Sequence, residues 1–305
     1  MISITQLEYI LALEEEKNFQ KAAEKCYITQ PTLSMQIKKA EELLGKQIFD
    51  RSTKPLSLTL FGKEIIGELR NIKDSVDELD RKIKKLDGKL KEEIRIGIIP
   101  TVAVYLVPEF YNAWKKKLED IKIEIFELKT DDLLTQLENR KIDFGILAGP
   151  LQGAIFEQQI LFNEQIKVFT KDIKEKSIDL SQLSEMHPWL LAKGNCLRTQ
   201  MVNFCNIKEK EVNDWHYTGG NIDLLIKMVI QEGGYTLLPA YYDLPDHLKK
   251  HIKSIETHSP YRQIIGVFNK GTSKSDSISK IIGEIQRSRS NQFHQASLGE
   301  LLPWN

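Results

Sequence analysis

Asn18-Phe19-Gln20-Lys21-Ala22-Ala23-Glu24-Lys25-Cys26-Tyr27-Ile28-Thr29-Gln30-Pro31-Thr32-Leu33-Ser34-Met35-Gln36-Ile37-Lys38-Lys39-Ala40-Glu41-Glu42-Leu43-Leu44-Gly45 is the stretch from which the fold of the chain's head is read. Asn18 is a strong N-cap residue, and the alanines at 22 and 23 let a second helix approach closely. After the break at Tyr27-Ile28, Thr29 caps another helix. Pro31 is tolerated in its first turn because amides there have no intrahelical partner. Gly45 suits the residue just past the helix end. Two helices joined by a short turn predict a helix-turn-helix. Upstream, residues 4–15 carry Leu7, Ile10, Leu11 and Leu13 at helical spacing. In the second helix of the pair, Leu33, Ile37, Ala40 and Leu44 fall on one side and should be core. The other side carries Thr32, Met35, Lys38 and Lys39, flanked by Gln30, Ser34 and Gln36. Short polar groups near the start of such a helix reach base edges in a major groove, while lysines further along meet phosphates. A merely solvated face is the other reading of these lysines. Gln47 to Leu58 then reads as strand, basic tip, strand. That is a wing, with Arg51 and Lys54 placed for backbone or minor-groove contact.

Beyond the wing, Thr59 can cap a long helix. Its apolar residues Ile65, Leu69, Ile72, Val76, Leu79, Ile83 and Leu86 are separated by alternating steps of four and three. That is a heptad seam, and it predicts pairing with a second copy of the same helix. Asp87-Gly88 ends the helix in a hinge. A dimer presents two recognition helices to a two-fold operator in double-stranded DNA.

The chain has 305 residues, 41% hydrophobic and 28% charged, with zero formal net charge. The length suggests two or three domains, and the composition is that of a soluble globular protein. Nucleic-acid affinity must therefore come from a local patch. No apolar run approaches the roughly 20 residues that span a membrane, and the N-terminus lacks a signal-peptide pattern. Three cysteines are too few for a disulfide scaffold. The expected location is the cytoplasm, with no membrane, cofactor or metal. His247 and His251 are four apart beside Asp246, but no third ligand is evident. Cys26 is expected in the head's core. No phosphate-binding glycine loop or serine-elbow motif is present.

From residue 92 onward short apolar strands alternate with helical patterns, which predicts a parallel α/β sheet. Strands are expected at 94–99, 121–125, 143–147, 166–170, 235–239 and 264–268. Helices are expected at 102–117, 131–139, 196–205, 222–230 and 276–287. The tail from Arg289 to Asn305 has little pattern. Ligands in such sheets sit beyond the carboxyl ends of strands, so Thr101, Thr130 and the loop at Thr218 to Asn221 are pocket candidates. Each threonine could also be no more than a helix cap. Two cysteines lie in Lys193-Gly194-Asn195-Cys196-Leu197-Arg198-Thr199-Gln200-Met201-Val202-Asn203-Phe204-Cys205. Gly-Asn reads as a turn, which puts Cys196 at a helix N-terminus, where partial positive charge favours a thiolate. A helix continuing to Cys205 separates the cysteines by roughly 13 Å along its axis. A disulfide needs Cα atoms within about 7 Å, so a bridge requires the segment to be remodelled.

The head pattern, Leu7 with Phe19 to Glu24, Thr29 to Ile37, Glu41, Leu43 to Gly45 and Phe49-Asp50-Arg51, resembles the winged head of LysR-type transcriptional regulators. The resemblance implies an all-α winged helix-turn-helix head (1–58) and a linker helix with hinge (59–91). It further implies a two-lobed α/β sensor like periplasmic binding proteins (92–305). Lobe I is then 92–161 with 268–305, lobe II is 162–267, and the crossing strands lie near 161–166 and 263–269. It also implies homodimers or homotetramers on promoter DNA, acting with RNA polymerase.

Within that family the sensor is similar to the OxyR hydrogen peroxide sensors. The similarity rests on Gly194, Cys196, Leu197, Arg198, Gln200 and Cys205, and on Ile99-Pro100-Thr101 with Tyr105 to Pro108. Gly234, Thr236 to Ala240, and Arg262 with Gly266-Val267 complete it. By that resemblance Cys196 is oxidised by peroxide to a sulfenic acid and Cys205 condenses with it. Thr101 and Thr130 would hold peroxide, and Arg198 and Arg262 would stabilise a thiolate. Asn195 stands where a histidine is common, and Thr199 where an aspartate is common. Tuning would fall to the helix N-terminus, the arginines and His216. The protein is then a sensor and not an enzyme. The rival readings are a cleft that takes a small organic effector with bystander cysteines, and a cysteine peroxidase with an appended head.

Overall fold

The computed structural model describes residues 2–86, 91–153, 155–207, 219–255, 259–272, 274–293 and 299–302. It forms two compact units, 1–90 and 91–305. In the first, α1 (Ile4–Glu16) starts with a capping box between Ser3 and Gln6. The Asn18 side chain accepts from the amides of Gln20 and Lys21 to begin α2 (Phe19–Lys25). Thr29 accepts from the Thr32 amide to begin α3 (Gln30–Leu44), which ends at Gly45 in the left-handed region, φ +71°. Leu7, Ile10 and Leu13 close over Ala22, Ala23, Leu33, Ile37 and Ala40, while Cys26 is half-buried at the edge. Each buried leucine or isoleucine stabilises the head by about 1.5–3 kcal/mol.

The wing is a two-stranded antiparallel hairpin, β1 (Phe49–Asp50) and β2 (Ser57–Leu58). Helical periodicity did not reveal that Glu41 of α3 is buried. It accepts from the Ile48 amide at 2.9 Å and the Phe49 amide at 3.2 Å, and so clamps the wing to α3. The long helix α4 (Leu60–Leu86) begins with the Gly62 amide donating to the Thr59 hydroxyl. Its first turns, with Phe61, Ile65, Ile66 and Leu69, belong to the head's core. The heptad seam is therefore divided. Ile65 and Leu69 are used inside the unit, whereas Ile72, Leu79 and Ile83 are 48%, 61% and 52% exposed. The Leu86 side chain and the Asp87-Gly88 hinge lie outside the described residues.

The second unit runs β3 (Glu92–Ile98), α5 (Pro100–Lys117), β4 (Ile121–Glu127), α6 (Thr130–Glu138), β5 (Phe144–Gly149), β6 (Phe156–Thr170), β7 (Ser177–Ile178), α7 (Leu180–Leu183), α8 (Cys196–Phe204), α9 (Ile222–Glu232), β8 (Tyr235–Pro239), α10 (Asp246–Lys249), β9 (Ile252–Ile255), β10 (Tyr261–Asn269) and α11 (Ser275–Phe293). The sheet is mixed, and the all-parallel expectation needs correcting. Strands β4, β3 and β5 are parallel, and β7 runs parallel to β9. But β10 is antiparallel to both β5 and β6, and β6 is antiparallel to β8 and β9. The cause is that β6 and β10 pass through both lobes. The first part of β6 pairs with β10 in lobe I, and the part from Ile166 pairs with β8 in lobe II. Polar Glu157, Gln158 and Gln159 hid the first half of β6 from an apolar-run reading. β10 already pairs with β5 at Gln263, earlier than the boundary read at 268.

Each lobe has its own core. Ile278, Ile281, Ile282 and Ile285 of α11 seal lobe I. The tail does not stay with that lobe. Leu302 is buried in the lobe II core, with its amide donating to the Tyr261 carbonyl at 2.8 Å.

Candidate functional site

Helix α8 begins at a turn that only glycine makes without strain, Gly194 at φ +87°. A side chain there would also crowd Lys129. Asn195 is the N-cap by position but does not cap. Its side-chain amide donates back to the Ala192 carbonyl at 2.9 Å. Cys196 is the first helical residue and is buried in the lobe I core, whereas Leu197 and Met201 of the same helix are buried in the lobe II core. One short helix thus joins both lobes, and its thiol is the part that enters lobe I.

Three polar side chains gather around that thiol. Neither threonine acts as a helix cap. Thr101 is in the first turn of α5 after the uncapped Ile99, and Thr130 is the first residue of α6 after the uncapped Lys129. Both hydroxyls face Cys196, although Thr130 Oγ1 has no hydrogen bond of full geometry. Arg262 is fully buried and donates from Nη1 to Thr101 Oγ1 at 2.9 Å and from Nη2 to the Thr101 carbonyl at 3.1 Å. Because Thr101 Oγ1 accepts from the guanidinium, its own proton is left for the sulfur. Gln200 lies one turn after Cys196 and is buried in α8. Its Nε2 donates to the Leu302 carbonyl at 2.9 Å, and its Oε1 is buried without a partner.

The guanidinium is not free. Glu164 of β6 stands directly opposite Arg262 of β10 in the strand register. Both are fully buried, and Arg262 Nε donates to Glu164 Oε2 at 2.9 Å. The same carboxylate accepts from the Tyr105 hydroxyl at 3.0 Å and the Tyr241 amide at 3.3 Å. Burial would lower the pKa of Arg262, but its neighbours, Glu164 first among them, together outweigh this and hold it charged, while burial pushes the Glu164 carboxyl itself up.

The expected resting thiolate is not what this environment favours. Burial pushes the Cys196 thiol up, and Arg262, Thr101, the Leu197 amide and Thr130 oppose that without overcoming it. Desolvation outweighs a helix-end dipole when the sulfur sits in an apolar core. Cys205 ends α8 and lines a surface cleft of about 510 Å³ with His187 and Tyr235. Burial pushes its thiol up to about 11, against the Tyr235 hydroxyl. Cys26, Cys196 and Cys205 are all free thiols here.

Among the other sequence candidates, Arg198 turns away from the thiol and donates to the Leu191 carbonyl at 2.8 Å. His216 lies outside the described residues. Asp246 pairs with Lys249, and the His251 ring packs edge-on against Phe169. On the head, Gln30, Met35, Lys38, Lys39 and Lys54 are exposed, while Thr32 and Ser34 are half-buried at the start of α3. Arg51 folds back, with Nη2 3.0 Å from Glu41 Oε2 and the guanidinium stacked 5.5 Å from the Phe19 ring centre. It therefore braces the wing. Glu164 was missed by sequence reasoning, because its partner is 98 positions away and only strand register joins them. Gln200 was marked only as part of the family pattern.

Residues 4–63 match the lysR family of bacterial regulatory helix-turn-helix proteins, and residues 87–289 match the LysR substrate binding domain. The chain belongs to the LysR family. LysR-family relatives include a hydrogen peroxide-inducible genes activator of Haemophilus influenzae. It is 30% identical, with 89% of this chain and 92% of that protein aligned. The DNA-binding transcriptional dual regulator OxyR of Escherichia coli K12 is 28% identical, over 94% of this chain and 96% of its own length. Full-length OxyR from Pseudomonas aeruginosa, carrying a cysteine-to-aspartate substitution, is similar in structure. Its TM-score is 0.69 at 25% identity, covering 94% of this chain and 98% of that one. No helix among the described residues is long and apolar enough to cross a membrane.

Proposed function

We propose that this LysR-family regulator binds operator DNA through the exposed face of α3 and senses hydrogen peroxide through a reversible disulfide between Cys196 and Cys205. The observation that carries the reading is the surroundings of Cys196. A buried thiol is flanked by two threonine hydroxyls, one of them held by a buried guanidinium, which suits a small molecule that both donates and accepts hydrogen bonds. The names of the aligned relatives support peroxide as that molecule.

The chemistry follows from the two thiols. The Cys196 sulfur attacks one peroxide oxygen. An S–O bond forms as O–O breaks, sulfur loses two electrons, and the departing hydroxide leaves as water with the thiol's proton. The Cys205 sulfur then attacks the sulfenic sulfur. An S–S bond forms, S–O breaks, and a second water leaves with the Cys205 proton. The ends of α8 cannot meet while it is helical. Oxidation therefore withdraws Cys196 from the lobe I core and unwinds the helix that joins the lobes. Dimers or tetramers of the chain on DNA, in a reducing cytoplasm and in contact with RNA polymerase, would turn that change into altered transcription. The reaction is stoichiometric, so the protein is a sensor and not a peroxidase.

The test is mass spectrometry of the full chain after mild peroxide, with Cys196→Ser beside it. A 196–205 bridge is expected in the wild type. The variant is expected to keep DNA binding and lose its peroxide response. Absence of the bridge would sink the reading and favour a small organic effector in the inter-lobe cleft. Continuous turnover of peroxide with a thiol reductant would point to an enzyme instead.

A further inference from the structure

We propose that Glu164 is a positioning residue that sets the reactivity of Cys196 by claiming the Arg262 guanidinium, so that the sulfur meets a cation already balanced by its counter-charge. The proposal rests on the reading of Cys196 as the reacting thiol. Its basis is geometric. Glu164 and Arg262 are cross-strand partners at the place where β6 and β10 pass between the lobes, and both are fully buried. The carboxylate fixes the guanidinium from behind at 2.9 Å, and the other end of the guanidinium grips Thr101 through two hydrogen bonds. The Tyr105 hydroxyl and Tyr241 amide hold Glu164 itself in place.

A buried cation next to a sulfur would by itself favour the thiolate strongly. A cation with its counter-charge directly behind it acts as a dipole, whose field falls off faster with distance. The thiol thus meets a balanced ion pair and the Thr101 hydroxyl that it holds, rather than a bare charge. Among the described residues, Arg262 is the cation that acts on the thiol, with Glu164 and Tyr105 behind it. Thr101 from α5 and Thr130 from α6 are the neutral polar groups. Lys129 lies beside the turn at Gly194.

The experiment measures the iodoacetamide alkylation rate of each cysteine in the full-length reduced protein from pH 5 to 10, read by mass spectrometry. No peroxide is used, so the outcome is independent of whether the 196–205 bridge forms. In Glu164→Gln the pH midpoint for Cys196 is expected to fall by at least about one unit, with about a tenfold faster reaction at pH 7. Cys205 should be unchanged. A glutamate that only supports the fold would instead give faster alkylation at both cysteines with the midpoint for Cys196 unmoved, and that result overturns the proposal. If Glu164→Gln alone does not fold, the neutral pair Glu164→Gln with Arg262→Gln decides. It should react several-fold more slowly than wild type at Cys196, and a wild-type profile there would also overturn the proposal.

Discussion

Cys196 occupies the first position of a helix, where dipole and free amides favour a thiolate, yet its surroundings keep it protonated. At this position desolvation is the larger effect. Arg262 could reverse the balance, but its charge is already matched by Glu164. Cys205 follows the same rule, and its pKa near 11 gives a sharp prediction. In the native reduced protein its alkylation should be slow at pH 7 and rise about tenfold per pH unit until near pH 11, whereas in denaturant it should level off near the ordinary thiol value of about 8.5. The linkage has a definite sign. The folded state holds the Cys205 proton more tightly than the unfolded chain. This contribution to stability is complete below the unfolded pKa and is lost as pH rises towards 11. Urea melts between pH 8 and 11 check this, and a Cys205→Ser variant should lose less stability over that range. A wild-type alkylation profile with its midpoint near 8.5 would contradict the burial argument.

Helix α8 has nine residues, too few to persist in water without tertiary support. Its support comes from three places: the lobe I core at Cys196, the lobe II core at Leu197 and Met201, and the C-terminal tail at Gln200. The tail is a strap. Leu302 is buried in lobe II, its amide bonds to Tyr261, and its carbonyl receives Gln200. Leu302→Ala should therefore destabilise the sensor by about 2–4 kcal/mol, as buried leucine truncations do. It should also speed formation of the 196–205 bridge, because the helix that must unwind has lost an anchor. Thermal melts and the rate of disulfide formation read the two effects. A destabilised protein with an unchanged rate of bridging would show that the strap serves the fold alone. Sequence patterning gave no hint of the strap, since residues 299–302 follow no period and gain meaning only from the strand edge they reach.

At the scale of the whole molecule the split of the α4 seam matters most. The residues nearest the head are consumed by it, and Ile72, Leu79 and Ile83 remain exposed. Leu79→Glu should weaken the dimer by at least about a hundredfold, or roughly 3 kcal/mol, through burial lost on both helices. Sedimentation of the full chain reads the shift, and a dimer of unchanged affinity would exclude the seam as the pairing surface. Head stability should be unaffected, because Leu79 lies outside its core.

What the sequence determined alone was local. The caps at Asn18 and Thr29, the glycines at 45 and 194, the heptad period and the spacing of Cys196 and Cys205 are all set within a few turns of chain. Their physical rules operate over that distance. Tertiary structure decided what depends on pairing across the chain. Strand register put Glu164 opposite Arg262, two long strands made the sheet mixed, and an apolar core overrode the helix dipole at Cys196. Charge balance and desolvation are sums over neighbours, and the neighbours of Cys196 lie far away in sequence.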